Sequence, residues 1–218
     1  MKLDSIKNVL FDLDGTLTDP VEGITRCIQY ALERMSAPLL SRAELQLHIG
    51  PPLRSTFAQI LKTDDSLRVE RGVALYRERF SEVGMFENEV YEGVPEMLAA
   101  LRASSKRLFV ATSKVEVYTH RILEHFHLSG YFEGVYGSHP DGRFDNKAEL
   151  IGHLLGNESL RAEETVMVGD RKYDVTGARE NGCFAAGVTY GYGSEGELVE
   201  AGADWICSSP LEVAALFQ

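Results

Sequence analysis

The stretch Val9-Leu10-Phe11-Asp12-Leu13-Asp14-Gly15-Thr16-Leu17-Thr18 decides how the rest of the chain is read. Three apolar residues in a row read as a strand buried on both faces, and Asp12 to Thr16 is turn chemistry. The same unit, a short apolar run ending on polar residues, returns downstream. Leu108-Phe109-Val110-Ala111 ends at Thr112-Ser113, and Thr165-Val166-Met167-Val168 ends at Gly169-Asp170. Phe184–Val188 and Trp205–Cys207 read as two more strands, and Gly134–Gly137 as a short edge strand. Between them, periodicity predicts helices over Val115–His125, Lys147–Leu155 and Val175–Asn181, the last with Gly182 as its C-cap. A closing helix opens at Ser209-Pro210-Leu211-Glu212, with a capping serine, a first-turn proline and a reciprocal glutamate. Apolar strands alternating with helices predict an α/β fold, a parallel sheet covered on both faces.

One stretch breaks this alternation. From Asp19 to Glu89 the pattern is helical. Val21, Ile24, Ile28, Leu32 and Met35 form one apolar stripe, and Leu53, Phe57 and Ile60 a second. Val69, Val73, Tyr76, Phe80 and Val83 form a third, and Ser41 with Glu44 reads as a capping box. The expected organisation is a core domain of residues 1–18 and 90–218, with a helical cap of residues 19–89 inserted between hinges near Thr18–Pro20 and Phe86–Val94.

Composition narrows the function classes. The 218 residues carry 22 Lys and Arg against 33 Asp and Glu, a net charge of −11. Such a surface repels nucleic-acid backbones and anionic headgroups, so neither a nucleic-acid polymer nor a membrane is an expected partner. No apolar run approaches the roughly 18 residues that cross a bilayer, and no secretory signal is read at the N-terminus. The three cysteines, Cys27, Cys183 and Cys207, are odd in number and widely spaced, which suits reduced thiols in the cytoplasm. The six histidines form no HExxH pair and a single HxH, His125-Phe126-His127, with no cysteine close by in sequence to complete a zinc site, so any metal should be hard and oxygen-bound.

Ligands of a parallel sheet bind beyond the carboxyl ends of its strands. Four segments fall there. Asp12 and Asp14, two residues apart, suit covalent phosphoryl transfer, one carboxylate attacking phosphorus and the other exchanging a proton with the leaving oxygen and then with water. Gly15 permits the sharp turn that brings backbone N–H groups toward a phosphate. In Gly169-Asp170-Arg171-Lys172-Tyr173-Asp174 the carboxylates Asp170 and Asp174 are four apart and share a helix face, which suits Mg²⁺. Simple N-capping by Asp170 is the competing reading of that segment alone. Thr112 and Ser113 offer hydroxyls to a phosphate, or an ordinary N-cap. Lys147 opens a helix, where a lysine is usually solvated; near a phosphoryl group it would stabilise developing charge.

In this order the segments resemble the haloacid dehalogenase superfamily of phosphohydrolases: DxDGT, a strand-end Thr/Ser, a helix-borne Lys, then GDxxxD. The resemblance covers essentially the whole chain, including the helical insertion, and implies a doubly wound parallel sheet. It also implies Asp12 as nucleophile, Asp14 as general acid/base, and Thr112 and Lys147 as phosphoryl ligands. Asp170 would bind Mg²⁺ together with Asp12 and the Asp14 carbonyl, with Asp174 in support. Ile49-Gly50-Pro51-Pro52-Leu53-Arg54 is similar to the substrate-facing loop of phosphoglycolate-phosphatase-like members, while GDRKYD is similar to a 5′-nucleotidase-like branch.

The expected activity is Mg²⁺-dependent hydrolysis of a small phosphorylated metabolite by a monomer or homodimer. A hexose-phosphate mutase and a non-catalytic phosphometabolite-binding protein stand as alternatives. A phosphonate hydrolase would need a cap lysine, and Lys62, the only lysine between residues 19 and 89, lies well past the Gly50–Arg54 loop. Arg54 has two open readings, a clasp for a second anionic group or a surface residue of an amphipathic helix. Arg171 and Lys172 carry charge of unassigned role. Tyr190 and Tyr192, in a glycine-rich stretch after a strand end, have two readings, a border of the site and a plain loop, of which the loop is preferred; Cys27 is read as core and Trp205 as packing.

Overall fold

A computed structural model describes residues 5–217 of the chain. Six strands form one sheet: β1 Asn8–Phe11, β4 Arg107–Val115, β5 Gly134–Ser138, β6 Thr165–Gly169, β7 Phe184–Val188 and β8 Trp205–Cys207. Their order is β5-β4-β1-β6-β7-β8, and every neighbouring pair is parallel. β1 is therefore central, with Phe11 in register with Val110 of β4 on one side and Val168 of β6 on the other. All four of its residues are buried, as its apolar run requires. Two short strands, β2 Thr18–Asp19 and β3 Glu89–Val90, form a separate two-stranded sheet.

Helices α5 Val94–Ala103, α6 Glu116–His125, α7 Lys147–Asn157, α8 Lys172–Glu180, α9 Glu195–Ala201 and α10 Pro210–Leu216 connect and follow the strands. Leu150, Ile151 and Leu154 of α7 and Val175 and Ala178 of α8 join Leu10, Phe109 and Met167 of the sheet in one buried cluster. α10 starts as its sequence predicts, with Ser209 Oγ accepting from the Glu212 N–H and Pro210 in the first turn. Trp205 packs its ring against Phe184 and Phe217.

Within the described residues, 5–19 with 90–217 make one compact unit and 20–89 the other. The second is helical: α1 Val21–Arg34, α2 Arg42–Gln46, α3 Leu53–Leu61 and α4 Ser66–Phe80. Ile24, Ile28 and Leu32 of α1, Phe57 of α3, and Val73, Tyr76 and Phe80 of α4 are buried. Ser41 and Glu44 form the expected capping box. Cys27 is buried on α1, and all three cysteines are free.

The structure differs from the sequence reading at several edges. Val83 falls beyond α4 and is 49% exposed, because the helix ends at Phe80 and Val83 leads into a 3₁₀ turn over Gly84–Phe86. β4 runs on past Ala111 to Val115, with a register shift against β5 between Thr112 and Val115. α8 begins at Lys172 rather than Val175. α5 and α9 were not separately predicted; α9 has seven residues and buries only Leu198.

Candidate active site

The carboxyl end of β1 carries Asp12, and the flanking strands set what surrounds it. Lys147 occupies the first position of α7, whose N-terminus is capped by Asn146 Oδ1 accepting from the N–H groups of Ala148 and Glu149. That cap fixes the helix entry and directs Lys147 inward instead of into solvent. Its Nζ lies 3.1 Å from Asp12 Oδ1 and 2.8 Å from Asp174 Oδ1, and donates to the Ala111 carbonyl at 3.0 Å. The ammonium thus stands between two carboxylates and a carbonyl, and the side chain is 4% exposed. Burial alone would lower the Lys147 pKa; the charges of Asp12 and Asp174 overcome this and raise it. Lys147 is therefore a fixed cation at working pH.

The turn after β1 is closed by its own backbone. The N–H groups of Leu17 and Thr18 donate to the Leu13 carbonyl, and the Gly15 N–H to the Thr18 carbonyl. Gly15 has φ +84°, and a Cβ there would run into the Asp170 carboxylate. Asp14 emerges from this turn with Oδ2 at 2.9 Å from Lys114 Nζ, while its Oδ1 is buried with no hydrogen-bond partner among the described residues. Burial raises the Asp14 pKa, against the lowering pull of Lys114. A carboxyl in that position can carry a proton that an exposed one would have lost.

Asp170 follows β6 and is fully buried. Its Oδ2 accepts from the Tyr192 N–H at 2.8 Å, and its Oδ1 has no hydrogen-bond partner among the described residues. Asp174, in the first turn of α8, reaches back to accept from the Arg171 N–H at 3.1 Å. One carboxylate oxygen each of Asp12, Asp170 and Asp174 lies within 4.8 Å of the others. Burial and mutual repulsion push Asp170 well above the usual carboxylate range and Asp174 up to about 6. Asp12, Asp14, Asp170 and Asp174 thus face two lysines, Lys147 and Lys114, which leaves an excess of negative charge in a dry site. Oxygen-only donors, an orphaned buried carboxylate oxygen and uncompensated charge fit a hard divalent cation such as Mg²⁺.

The remaining predicted residues sort clearly. Thr112 is buried at the end of the inner part of β4, its Oγ1 accepting from the Lys114 N–H at 3.3 Å. Ser113 follows it, its carbonyl held by the Ser138 hydroxyl at 2.9 Å. Arg54 belongs to the helical unit, where its Nε pairs with Glu70 Oε1 at 2.5 Å. The expectation that Asp170 and Asp174 share a helix face is corrected: α8 starts after Asp170, and the two meet because the strand-end turn doubles back on the first helical turn.

Three features escaped sequence reading. Lys114 looked like an ordinary residue after a Thr-Ser pair, yet it is buried against Asp14. The Tyr190–Gly193 stretch is more than plain loop. Tyr192 holds Asp170 through its backbone and bonds Asp19 through its hydroxyl, and Tyr190 donates to the Thr16 carbonyl at 3.0 Å. Gly191 sits so close to the Gly15 carbonyl and Asp170 that a side chain could not fit, the one signal of this contact that the sequence carries. Arg171, of unassigned role, pairs with Glu197 Oε1 at 2.9 Å, which also accepts from the Lys172 N–H.

Comparison with known proteins agrees with this geometry. A family model described as haloacid dehalogenase-like hydrolase matches residues 9–188. A 5′-nucleotidase of Pseudomonas aeruginosa is 49% identical over 191 residues, 88% of this chain and 86% of that protein. The tyrosine-protein kinase PtkA of Mycobacterium tuberculosis is 38% identical over 191 residues; the match spans 87% of this chain and 64% of that longer one. Among solved structures, a predicted phosphatase from Clostridium acetobutylicum is 40% identical with a TM-score of 0.93, covering 96% of this chain and 97% of its own. With the family model spanning most of the sequence and the buried carboxylates and lysines gathered at one sheet edge, the chain belongs to the haloacid dehalogenase-like hydrolases and is a phosphatase of that family.

Proposed function

We propose that the chain hydrolyses small phosphate monoesters through an aspartyl phosphate on Asp12, with 5′-nucleotides as the substrate class. The observation that carries the mechanism is the division of labour between two buried aspartates. Asp12 is paired with Lys147, so it is available as a carboxylate nucleophile. Asp14, two residues on, is shielded enough to hold a proton. In the first step an Asp12 oxygen bonds phosphorus, the ester P–O bond breaks, and the Asp14 proton passes to the leaving oxygen. In the second, Asp14 takes a proton from water, the water oxygen bonds phosphorus, and the bond to Asp12 breaks to release phosphate.

Lys147 neutralises charge on Asp12 and on the transferring group in both steps. The Thr112 and Ser113 hydroxyls are assigned to the phosphoryl oxygens; the N–H groups from Gly15 to Thr18, expected to face a phosphate, are instead taken up by carbonyls of the turn itself. Asp12, Asp170 and Asp174 would hold Mg²⁺, with the Asp14 carbonyl in the ligand set that family resemblance implies. Bound there, the ion supplies positive charge to the phosphoryl oxygens. The helical unit is assigned the part of a cap that selects substrate, and Arg54 a contact to it that requires release from Glu70.

The relative named a 5′-nucleotidase supports nucleotides over 2-phosphoglycolate, which the Ile49–Arg54 loop keeps as the second candidate. The test is phosphate release from a panel of nucleotides, phosphoglycolate and sugar phosphates with Mg²⁺, for the wild type and Asp12→Asn. Turnover by the wild type alone, with a phosphoryl group found on Asp12 by mass spectrometry after acid quench, supports the mechanism. Movement of phosphate to another hydroxyl without release would instead indicate a mutase or a kinase, the activity in the name of the mycobacterial relative. Tight binding without release would indicate a binding protein.

A further inference from the structure

We infer that Lys114 is the positioning residue of the general acid, holding Asp14 by one oxygen so that the other faces the ester. The inference rests on the mechanism proposed above and adds a component to it.

Lys114 lies on the outer extension of β4, within the interval between Thr112 and Val115 where the register against β5 shifts. Thr112 pairs with Gly137 and Val115 with Ser138, so Ser113 and Lys114 stand opposite no β5 residue, and a local break in the ladder of this kind re-aims side chains. The shifted segment is fastened on both sides, by the Ser138 hydroxyl on the Ser113 carbonyl and by the Lys114 N–H on Thr112 Oγ1. Lys114 Nζ then meets Asp14 Oδ2 at 2.9 Å, with the two side chains 7% and 13% exposed. Asp14 Oδ1 is buried and has no hydrogen-bond partner among the described residues. One oxygen is clamped and the other is free to exchange a proton. A bare carboxylic acid after a glycine-containing turn could rotate; the clamp removes that freedom, and orientation of this kind is a large part of a catalytic group's effect.

Atoms balance without a proton change on Lys114. When the ester P–O bond breaks and the Asp12–phosphorus bond forms, the Asp14 proton goes to the leaving oxygen, and the resulting carboxylate faces the Lys114 ammonium. The proton lost by water in the second step returns to Asp14.

The experiment exploits leaving groups. An alkyl ester, whichever of 5′-AMP or 2-phosphoglycolate is turned over, leaves as an alkoxide and needs its proton; p-nitrophenyl phosphate leaves as a stable phenolate and does not. Wild type, Asp14→Asn, Lys114→Met, Lys114→Arg and the Lys114→Met/Asp14→Asn double variant are compared on both esters, with folding checked by circular dichroism. Lys114→Met should lower kcat on the alkyl ester on the order of 10²-fold, and by roughly tenfold less on the aryl ester. Lys114→Arg, which keeps a cationic donor, should recover most of that loss and serves if Lys114→Met does not fold. In the Asp14→Asn background the Lys114→Met effect should vanish. Equal losses on both esters, or a loss that adds in full to Asp14→Asn, would overturn the role of Lys114. If Asp14→Asn itself shows no preference between the esters, the acid assignment fails first and the inference goes with it.

Discussion

Asp170→Asn should make the metal-free protein more stable while destroying its activity. The site holds three buried carboxylates and the 13%-exposed Asp14 against two lysines, and Asp170 is the least compensated: fully buried, near Asp12 and Asp174, with one oxygen unpartnered among the described residues. Asparagine keeps an oxygen for the Tyr192 N–H and places an NH₂ among acceptor oxygens. Replacing a poorly compensated buried charge by a neutral group of the same shape stabilises by about 1–4 kcal/mol. A gain of about 2 kcal/mol is roughly 4–8 °C in Tm for a chain of this length. The assay is thermal unfolding in EDTA and in Mg²⁺. Wild type should gain stability from Mg²⁺ by mass action, and Asp170→Asn should lose most of that response. A variant that unfolds earlier than wild type in EDTA, or that keeps the full Mg²⁺ shift, would refute the argument from uncompensated charge.

Lys147→Met should lower Tm by an amount corresponding to about 3–5 kcal/mol, since it strands Asp12 and Asp174 without their cation, and Asp174→Asn should restore part of it in a double-mutant cycle. Gly15→Ala should cost more than about 1 kcal/mol and weaken Mg²⁺ binding, read by chemical denaturation and by Mg²⁺ titration of Tm, because φ +84° and the Asp170 carboxylate both oppose a Cβ. Gly130→Ala, where a Cβ meets nothing within 4 Å, should stay within about 0.5 kcal/mol. In the helical unit Glu87 pairs with Arg79 at 2.6 Å and Arg26 at 2.7 Å, and Arg79 chiefly holds its carboxyl below the usual range. A depressed folded-state pKa contributes stability above the unfolded value, near about 4.3, that is lost as pH falls through the folded one. Glu87→Gln should therefore cost about 1–2 kcal/mol at neutral pH and flatten the acid limb of Tm against pH.

The sheet was legible because each of its strands is an apolar run that stops abruptly at turn chemistry. Asp12, Asp14, Thr112 and Asp170 stand at such stops, so their convergence follows from strand order alone. Lys147 was legible only through family resemblance, since nothing in Asn146-Lys147-Ala148 distinguishes an inward lysine from a solvated one. Lys114 was hidden for a sharper reason. Its direction depends on a register shift between two strands with a helix between them in the chain, and the periodicity of either strand alone has no access to that. Tyr192 acts on Asp170 through a backbone N–H, a group every residue but proline possesses, so residue type could not reveal it. Arg171 finds Glu197 26 residues away, across a helix too short to announce itself.

The central place of β1 has a consequence for synthesis. Asn8 is in register with Arg107 and with Thr165, so β1 leaves the ribosome with no sheet partner until β4 has been made, and no second one until β6. At roughly 5–20 residues per second, the Val9-Leu10-Phe11 segment waits on the order of 5–20 s for its first neighbour. The helical segment of residues 20–89 emerges during that interval, with contacts that are local enough to form at once. Nascent chains stalled before residue 107 should therefore present a sticky, unpaired β1 beside an already ordered helical unit, and demand for chaperones should fall once β4 and β6 have been translated.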